Sequence, residues 1–195
     1  MENSFFYWGP LLFKTKINNY KEILNKVKKE YSYNKHLASY LDETFVFNPN
    51  EFKKNIDKAF NNYLNFYETY YNTILSNKKY SVTASWVNFM KAGDFNPPHT
   101  HGDDFSCVLY LSIPDLLKKE NYSYEGRDKS GPGGIQFIYG EERPHCVSEI
   151  GLKPEAADLY IFPANLRHVV MPFKSKCTRI SMSANFKLQQ TRRKK

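Results

Sequence analysis

The spacing of apolar residues along this chain changes from helical to alternating near residue 80. Over residues 20–31, Ile23, Leu24, Val27 and Tyr31 recur at helical intervals beside a lysine-rich face, which predicts an amphipathic surface helix. A longer helix is expected from Pro49-Asn50-Glu51, with Asn50 as its cap, through Phe52, Ile56, Phe60, Tyr63, Leu64, Tyr67, Tyr70 and Tyr71 to Leu75. Its aromatic stripe suits packing against a sheet, with a stacking platform for nucleic-acid bases as the alternative. After Asn77-Lys78-Lys79 the period becomes two. Val82, Ala84 and Trp86 alternate with their neighbours over Ser81 to Met90, and further strands are expected at 106–113, 134–139, 144–149, 158–162, 168–172 and 178–187. A polar insertion at 114–132 interrupts them and is expected to cover a site. Many short strands without repeat or linker suit a jelly-roll-like barrel, mostly β, with the N-terminal helices buttressing one sheet.

Composition narrows this picture. With 195 residues, 41% of them hydrophobic, the chain can bury one sizeable core and is short for two. We therefore expect one domain: a helical support region at 1–80, a β core at 81–188 and a basic tail at 189–195. Fifteen Tyr and fifteen Phe would fill the barrel and the helix layer on it. No apolar run approaches the ~20 residues of a membrane span. The start, Met1 to Tyr7, has neither a basic leader nor a cleavage site, so an intracellular, cytoplasmic setting is expected. The odd set Cys107, Cys146 and Cys177 reads as buried free thiols. The net charge of +8, carried mainly by lysine, permits nucleic acid, an acidic protein or an anionic small molecule as partner, and lysine with asparagine is also what an AT-rich genome produces. The run Gln190 to Lys195 reads as a solvated tail.

Candidate chemistry lies in two segments, Pro98-His99-Thr100-His101-Gly102-Asp103-Asp104 and Phe162-Pro163-Ala164-Asn165-Leu166-Arg167-His168, followed by Arg179-Ile180-Ser181. In an extended strand His99, His101 and Asp103 project to one side, so adjacent pairs can grip one ion, and His168 can complete a facial site from a second strand. Arg179, eleven residues beyond His168, can return antiparallel and present its fork to a carboxylate, with Ser181 on the same face. A guanidinium inside an apolar alternating strand is costly unless an anion meets it. Tyr110 is either a donor to the same anion or a core tyrosine. Trp86 and Asn88 are placed to line the cavity, with Trp86 read first as an anchor of the core, whereas His36 and His145 read as ordinary surface or core histidines.

The order His-x-Asp or His-x-His, a distal His and then Arg-x-Ser, within flanks such as Gly133-Gly134-Ile135-Gln136-Phe137 and Asp158-Leu159-Tyr160-Ile161-Phe162-Pro163, resembles the 2-oxoglutarate and Fe(II)-dependent oxygenases. Residues 81–188 carry the resemblance. It is nearest to small members found in bacteriophage and marine bacteria, with the prolyl- and aspartyl-hydroxylase branches further off. It implies a double-stranded β-helix, Fe(II), 2-oxoglutarate and dioxygen as cofactors, succinate and carbon dioxide as co-products, and hydroxylation of a C–H bond, possible substrates including a prolyl or other protein side chain; for a phage-encoded chain the setting would be host cytoplasm. The metal ligands would be three of His99, His101, Asp103 and His168. The literal His101-Gly102-Asp103 match leaves a short connection to the next strand, and the spacing back from Tyr110 suits His99, with Asp103 or Asp104 then supporting the site. Arg179, Ser181 and Tyr110 would hold 2-oxoglutarate. The alternative is a cupin-like metal-binding protein or a dioxygenase without 2-oxoglutarate, in which an inward Arg179 would lack a purpose.

Overall fold

The computed structural model describes residues 9–32, 40–75, 78–126 and 129–189. Within them the chain forms β1 (Phe13–Lys16), α1 (Tyr20–Asn25), β2 (Thr44–Val46), α2 (Pro49–Tyr70), β3 (Tyr80–Met90), β4 (Asn96–His99), β5 (Phe105–Ser112), α3 (Asp115–Tyr122), β6 (Ile135–Ile138), β7 (Glu149–Leu152), β8 (Asp158–Pro163), β9 (Arg167–Val170) and β10 (Arg179–Leu188). Two antiparallel sheets result, one of six strands in the order β1-β8-β5-β10-β3-β2 and one of four in the order β4-β9-β6-β7.

Alternation along the large sheet separates two apolar layers. Cys107, Leu109 and Leu111 of β5, Leu159 and Ile161 of β8, and Met182, Ala184 and Phe186 of β10 face α1 and α2. Their neighbours Val108, Tyr110, Tyr160 and Phe162 face the small sheet, meeting Ile135 and Phe137 of β6. The α2 stripe of Phe52, Ile56, Phe60, Tyr63 and Leu64 is buried on the outer layer, where the Phe60 ring stacks on Phe186 at 4.2 Å between centroids. Each fully buried aromatic of this kind contributes about 1.5–3 kcal/mol. On β10 the same alternation turns Arg179, Ser181 and Ser183 toward the interior. A bulge where Val82 and Ala84 pair with Phe186 and Asn185 leaves Thr83 as the extra residue of β3. It lets Val82 and Val87 both pack toward the helices while Trp86 lines the interior.

Several expected elements differ. The first helix ends at Asn25, short of residue 31, because the Tyr31 carbonyl accepts the Val46 N–H and Ser32 bridges Phe45, extending the chain along β2. The cap of α2 is Asn48, whose Oδ1 accepts from the backbone N–H of Asn50 and Glu51, with Pro49 in the first turn; the helix stops at Tyr70 before Leu75. The 114–132 insertion contains α3, whose Leu117 is buried in the interior layer. The strand expected at 144–149 forms at Glu149–Leu152, since His145 takes a left-handed φ of 65° that breaks an extended run. Strands β1 and β2 carried too few alternating positions to be read. Of the cysteines, Cys107 is buried, whereas Cys146 is exposed and Cys177 intermediate, contrary to the expectation of three buried thiols. Trp86 and Asn88 line the interior, and His145 lies at the surface. His36, the first eight residues and the tail from 190 lie outside the described residues. No helix among the described residues is long and apolar enough to cross a membrane.

Candidate metal centre and co-substrate cavity

His99 and His168 are cross-strand partners on β4 and β9, so antiparallel pairing alone brings their side chains together. His101 reaches them from the loop after β4. That loop is fixed by backbone bonds from His101 N–H to the Ala164 carbonyl at 2.8 Å and from Ala164 N–H to the Asp104 carbonyl at 3.1 Å. The strand does not continue through residue 103 as expected; it ends at His99, and the turn swings His101 inward. Ring centroids lie 4.2 Å apart for His99 and His168, 5.1 Å for His99 and His101, and 5.2 Å for His101 and His168. One ligand atom from each lies within 4.8 Å of the others.

Tautomers follow from the partners. His99 Nδ1–H donates to the Pro97 carbonyl at 2.7 Å and His168 Nδ1–H to the Leu166 carbonyl at 2.9 Å. In a neutral ring each bond leaves Nε2 as a bare lone pair, the form a metal takes. Burial, aided by the like charge of its neighbours, pushes His168 down to about 3 and His101 down to about 4, and burial lowers His99. All three are therefore neutral near pH 7. Asp103 stands apart: its Oδ2 accepts from Thr83 Oγ1 at 2.7 Å, at the bulge of β3. Asp104 accepts the Leu188 N–H at 2.8 Å and ties the same loop to the end of β10.

The histidines line a narrow interior cavity with Arg179, Ser181, Tyr110, Asn96 and Leu41 among its other walls. Arg179 is 2% exposed, Ser181 1% and Tyr110 0%. Ser181 sits between Asn88 of β3 and Tyr110 of β5 in the register of the sheet. The guanidinium lies over the Tyr110 ring, 5.3 Å from its centroid, and its Nη1 donates to the Gly133 carbonyl at 2.6 Å. Its Nε and the Tyr110 hydroxyl are buried without a hydrogen-bond partner. Burial lowers the pKa of Arg179 and raises that of Tyr110. A buried cation and a buried donor left open on one cavity suit an anion, since each costs free energy until something accepts from it. On the other side of His101 an open groove of about 880 Å³ runs along Tyr67, Tyr71, Tyr139, Arg167 and Asp103.

Residues 84–185, just over half of the chain, match the model of the 2OG-Fe(II) oxygenase family. The chain belongs to this family. As a 2-oxoglutarate-dependent oxygenase it uses Fe(II), 2-oxoglutarate and dioxygen. Among solved structures the oxygenase is similar to a prolyl-4-hydroxylase of Pseudomonas putida, with TM-score 0.56 and 14% identity over 92% of this chain and 93% of that one. It is also similar to the viral collagen prolyl hydroxylase of Paramecium bursaria Chlorella virus 1, solved with 2-oxoglutarate, with TM-score 0.53 and 18% identity over 90% and 94%. At such identities the likeness carries the fold, the double-stranded β-helix. No curated protein matches the chain significantly. The residues present fit the family's cofactors: three clustered imidazoles, two of them held with Nε2 as the acceptor nitrogen, suit a divalent iron, and the open donors of Arg179 and Tyr110 suit the distal carboxylate of 2-oxoglutarate.

Two contributors were not legible in the sequence. Gly133 lends its carbonyl to Arg179 from a left-handed φ of 66°, and an added Cβ would stand 2.9 Å from Leu117 Cδ2. Its place in Gly133-Gly134 was a signal of backbone constraint, but not of which side chain the backbone serves. The second is Asn96, just before Pro97-Pro98, whose Nδ2 lies 3.4 Å from His99 Nε2.

Proposed function

We propose that His99, His101 and His168 hold the iron, that Arg179 with Tyr110 and Ser181 holds the distal carboxylate of 2-oxoglutarate, and that the oxygenase hydroxylates a side chain of a polypeptide. The observation that carries the reading is the three-imidazole cluster and the anion receptor on one cavity. Held there, iron with 2-oxoglutarate and dioxygen would supply the oxidising chemistry: the co-substrate would be decarboxylated to succinate and carbon dioxide with one oxygen atom of dioxygen, and the other would end as the hydroxyl replacing a substrate C–H. The protein's share is geometric and electrostatic. Pro97 and Leu166 hold two imidazoles in the ligating tautomer, and Gly133 and the Tyr110 ring fix the guanidinium. Phe162 and Phe137, packed 4.9 and 6.0 Å from His168 between ring centroids, keep water from that side of the donors.

A polypeptide substrate is supported by the prolyl hydroxylases among the similar structures and by the open groove that His101 helps to line, which suits an extended chain better than a small molecule needing burial on all sides. We further infer that the chain acts as a single oxygenase domain, since one apolar layer runs from α2 through the large sheet. Asp103 serves the loop rather than the iron in this reading. Metal titration of single variants tests it: Asp103→Ala retains Fe(II) within a few-fold, whereas His99→Ala, His101→Ala and His168→Ala each lose it. A reversed result for Asp103 and His101 would place the carboxylate in the ligand set and refute the three-histidine assignment.

A further inference from the structure

Resting on the reading above, we propose that Asn96 is a second anchor for 2-oxoglutarate, donating its side-chain N–H to the carboxylate at the metal end while Arg179 holds the other. Two asparagines line the cavity, and they are engaged differently. Asn88 has its Oδ1 occupied by Thr44 Oγ1 at 3.1 Å, inside the large sheet. Asn96 has its Nδ2 3.4 Å from His99 Nε2. Because the Pro97 carbonyl accepts from His99 Nδ1–H, Nε2 of the neutral ring is an acceptor, and the Asn96 amide faces it as a donor. That acceptor is the lone pair the iron takes. Metal binding thus removes the hydrogen-bond partner of Asn96 and leaves an N–H beside the metal's position. A donor stranded in a half-buried cavity costs free energy until an acceptor arrives. The acceptor that the family's chemistry brings there is the carboxylate and keto oxygen of the co-substrate. A neutral amide suits this place, since a fixed cation beside iron would repel the metal.

Asn96 would thus couple the two ligands: a metal on His99 Nε2 would free the amide, and the freed amide would favour the 2-oxo acid. A merely structural Asn96 would prop His99, and its loss would weaken the metal instead. The test uses Co(II) as a non-turnover metal and calorimetry with 2-oxoglutarate and with pyruvate, which keeps the 2-oxo carboxylate and lacks the distal one. Asn96→Ala and Asn96→Leu are expected to leave Co(II) affinity within about twofold and to weaken both acids about tenfold or more, as for lost hydrogen bonds to a charged group. Asn96→Asp weakens them further by like charge. Arg179→Met weakens 2-oxoglutarate while sparing pyruvate. Asn96 variants that lose Co(II) affinity but bind 2-oxoglutarate normally once saturated with metal would overturn the inference and leave Asn96 a prop for His99. Wild-type protein that takes Co(II) yet binds no 2-oxoglutarate would instead overturn the reading beneath it, and the two failures are distinguishable.

Discussion

At the residue scale the cavity depends on small groups that hold larger ones in place. Gly133 is the clearest case, because its left-handed φ and the nearness of Leu117 and Phe173 both oppose a side chain there. A non-glycine residue in that conformation costs about 1–2 kcal/mol. Gly133→Ala is therefore expected to weaken 2-oxoglutarate binding several-fold by shifting the carbonyl that Arg179 donates to, while metal affinity stays at the wild-type value; calorimetry on the two ligands separately checks this. An equal loss of both would mean general unfolding rather than a displaced guanidinium. Arg179 and Ser181 were legible because β10 alternates strictly, with Ile180, Met182, Ala184 and Phe186 claiming the opposite face. The donor set was less so. His99, His101 and Asp103 share a parity that a straight strand would turn to one side, and nothing local announces that the strand ends at His99 or that Thr83, on a bulge 20 residues upstream, donates to Asp103.

At the scale of elements, α2 packs on the large sheet, its aromatic residues meeting the outer face of β10, whose other face lines the cavity. Phe60 stacks on Phe186 and packs 4.3 Å from Tyr80 between centroids, so Phe60→Ala opens a cavity in the outer layer and should destabilise by about 3–5 kcal/mol. Urea unfolding monitored by circular dichroism reads this as a lower midpoint with unchanged slope. The segment joining β2 is held differently: Glu43 pairs with both Lys29 and Lys91. Hydrogen bonds from Lys29 and then Lys91 draw its carboxyl down to about 2. A carboxylate with a lowered folded-state pKa contributes its stability above its usual range near 4.5, and that contribution fades as pH falls from there toward 2. Glu43→Gln should thus flatten the decline of melting temperature across that window, and added salt should shrink the difference, since the pair is partly solvated. A decline equally steep in both proteins would assign the acid sensitivity elsewhere. The aromatic stripe made α2 legible, whereas α1 was read too long because the pairing of residues 31 and 32 with the β2 region is a long-range choice that no local period encodes.

Across the whole molecule, two sheets place a neutral, metal-ready triad and a buried guanidinium on the walls of one cavity. The change of period near residue 80 and the wide spacing of the candidate ligands made the barrel legible. The groove beyond His101 was not, because its walls come from α2, the 100–104 loop and the small sheet, and only the folded chain assembles them. The central claim is that the iron centre and the anion receptor work together on 2-oxoglutarate. The direct measurement is succinate formation by anaerobically purified protein supplied with Fe(II), 2-oxoglutarate and air. Wild type and Asp103→Ala are expected to form succinate, His168→Ala to form none, and Arg179→Met to require about two to three orders of magnitude more 2-oxoglutarate, the cost of removing one partner from a buried charged contact. Succinate formation undiminished in Arg179→Met and His168→Ala would contradict the account.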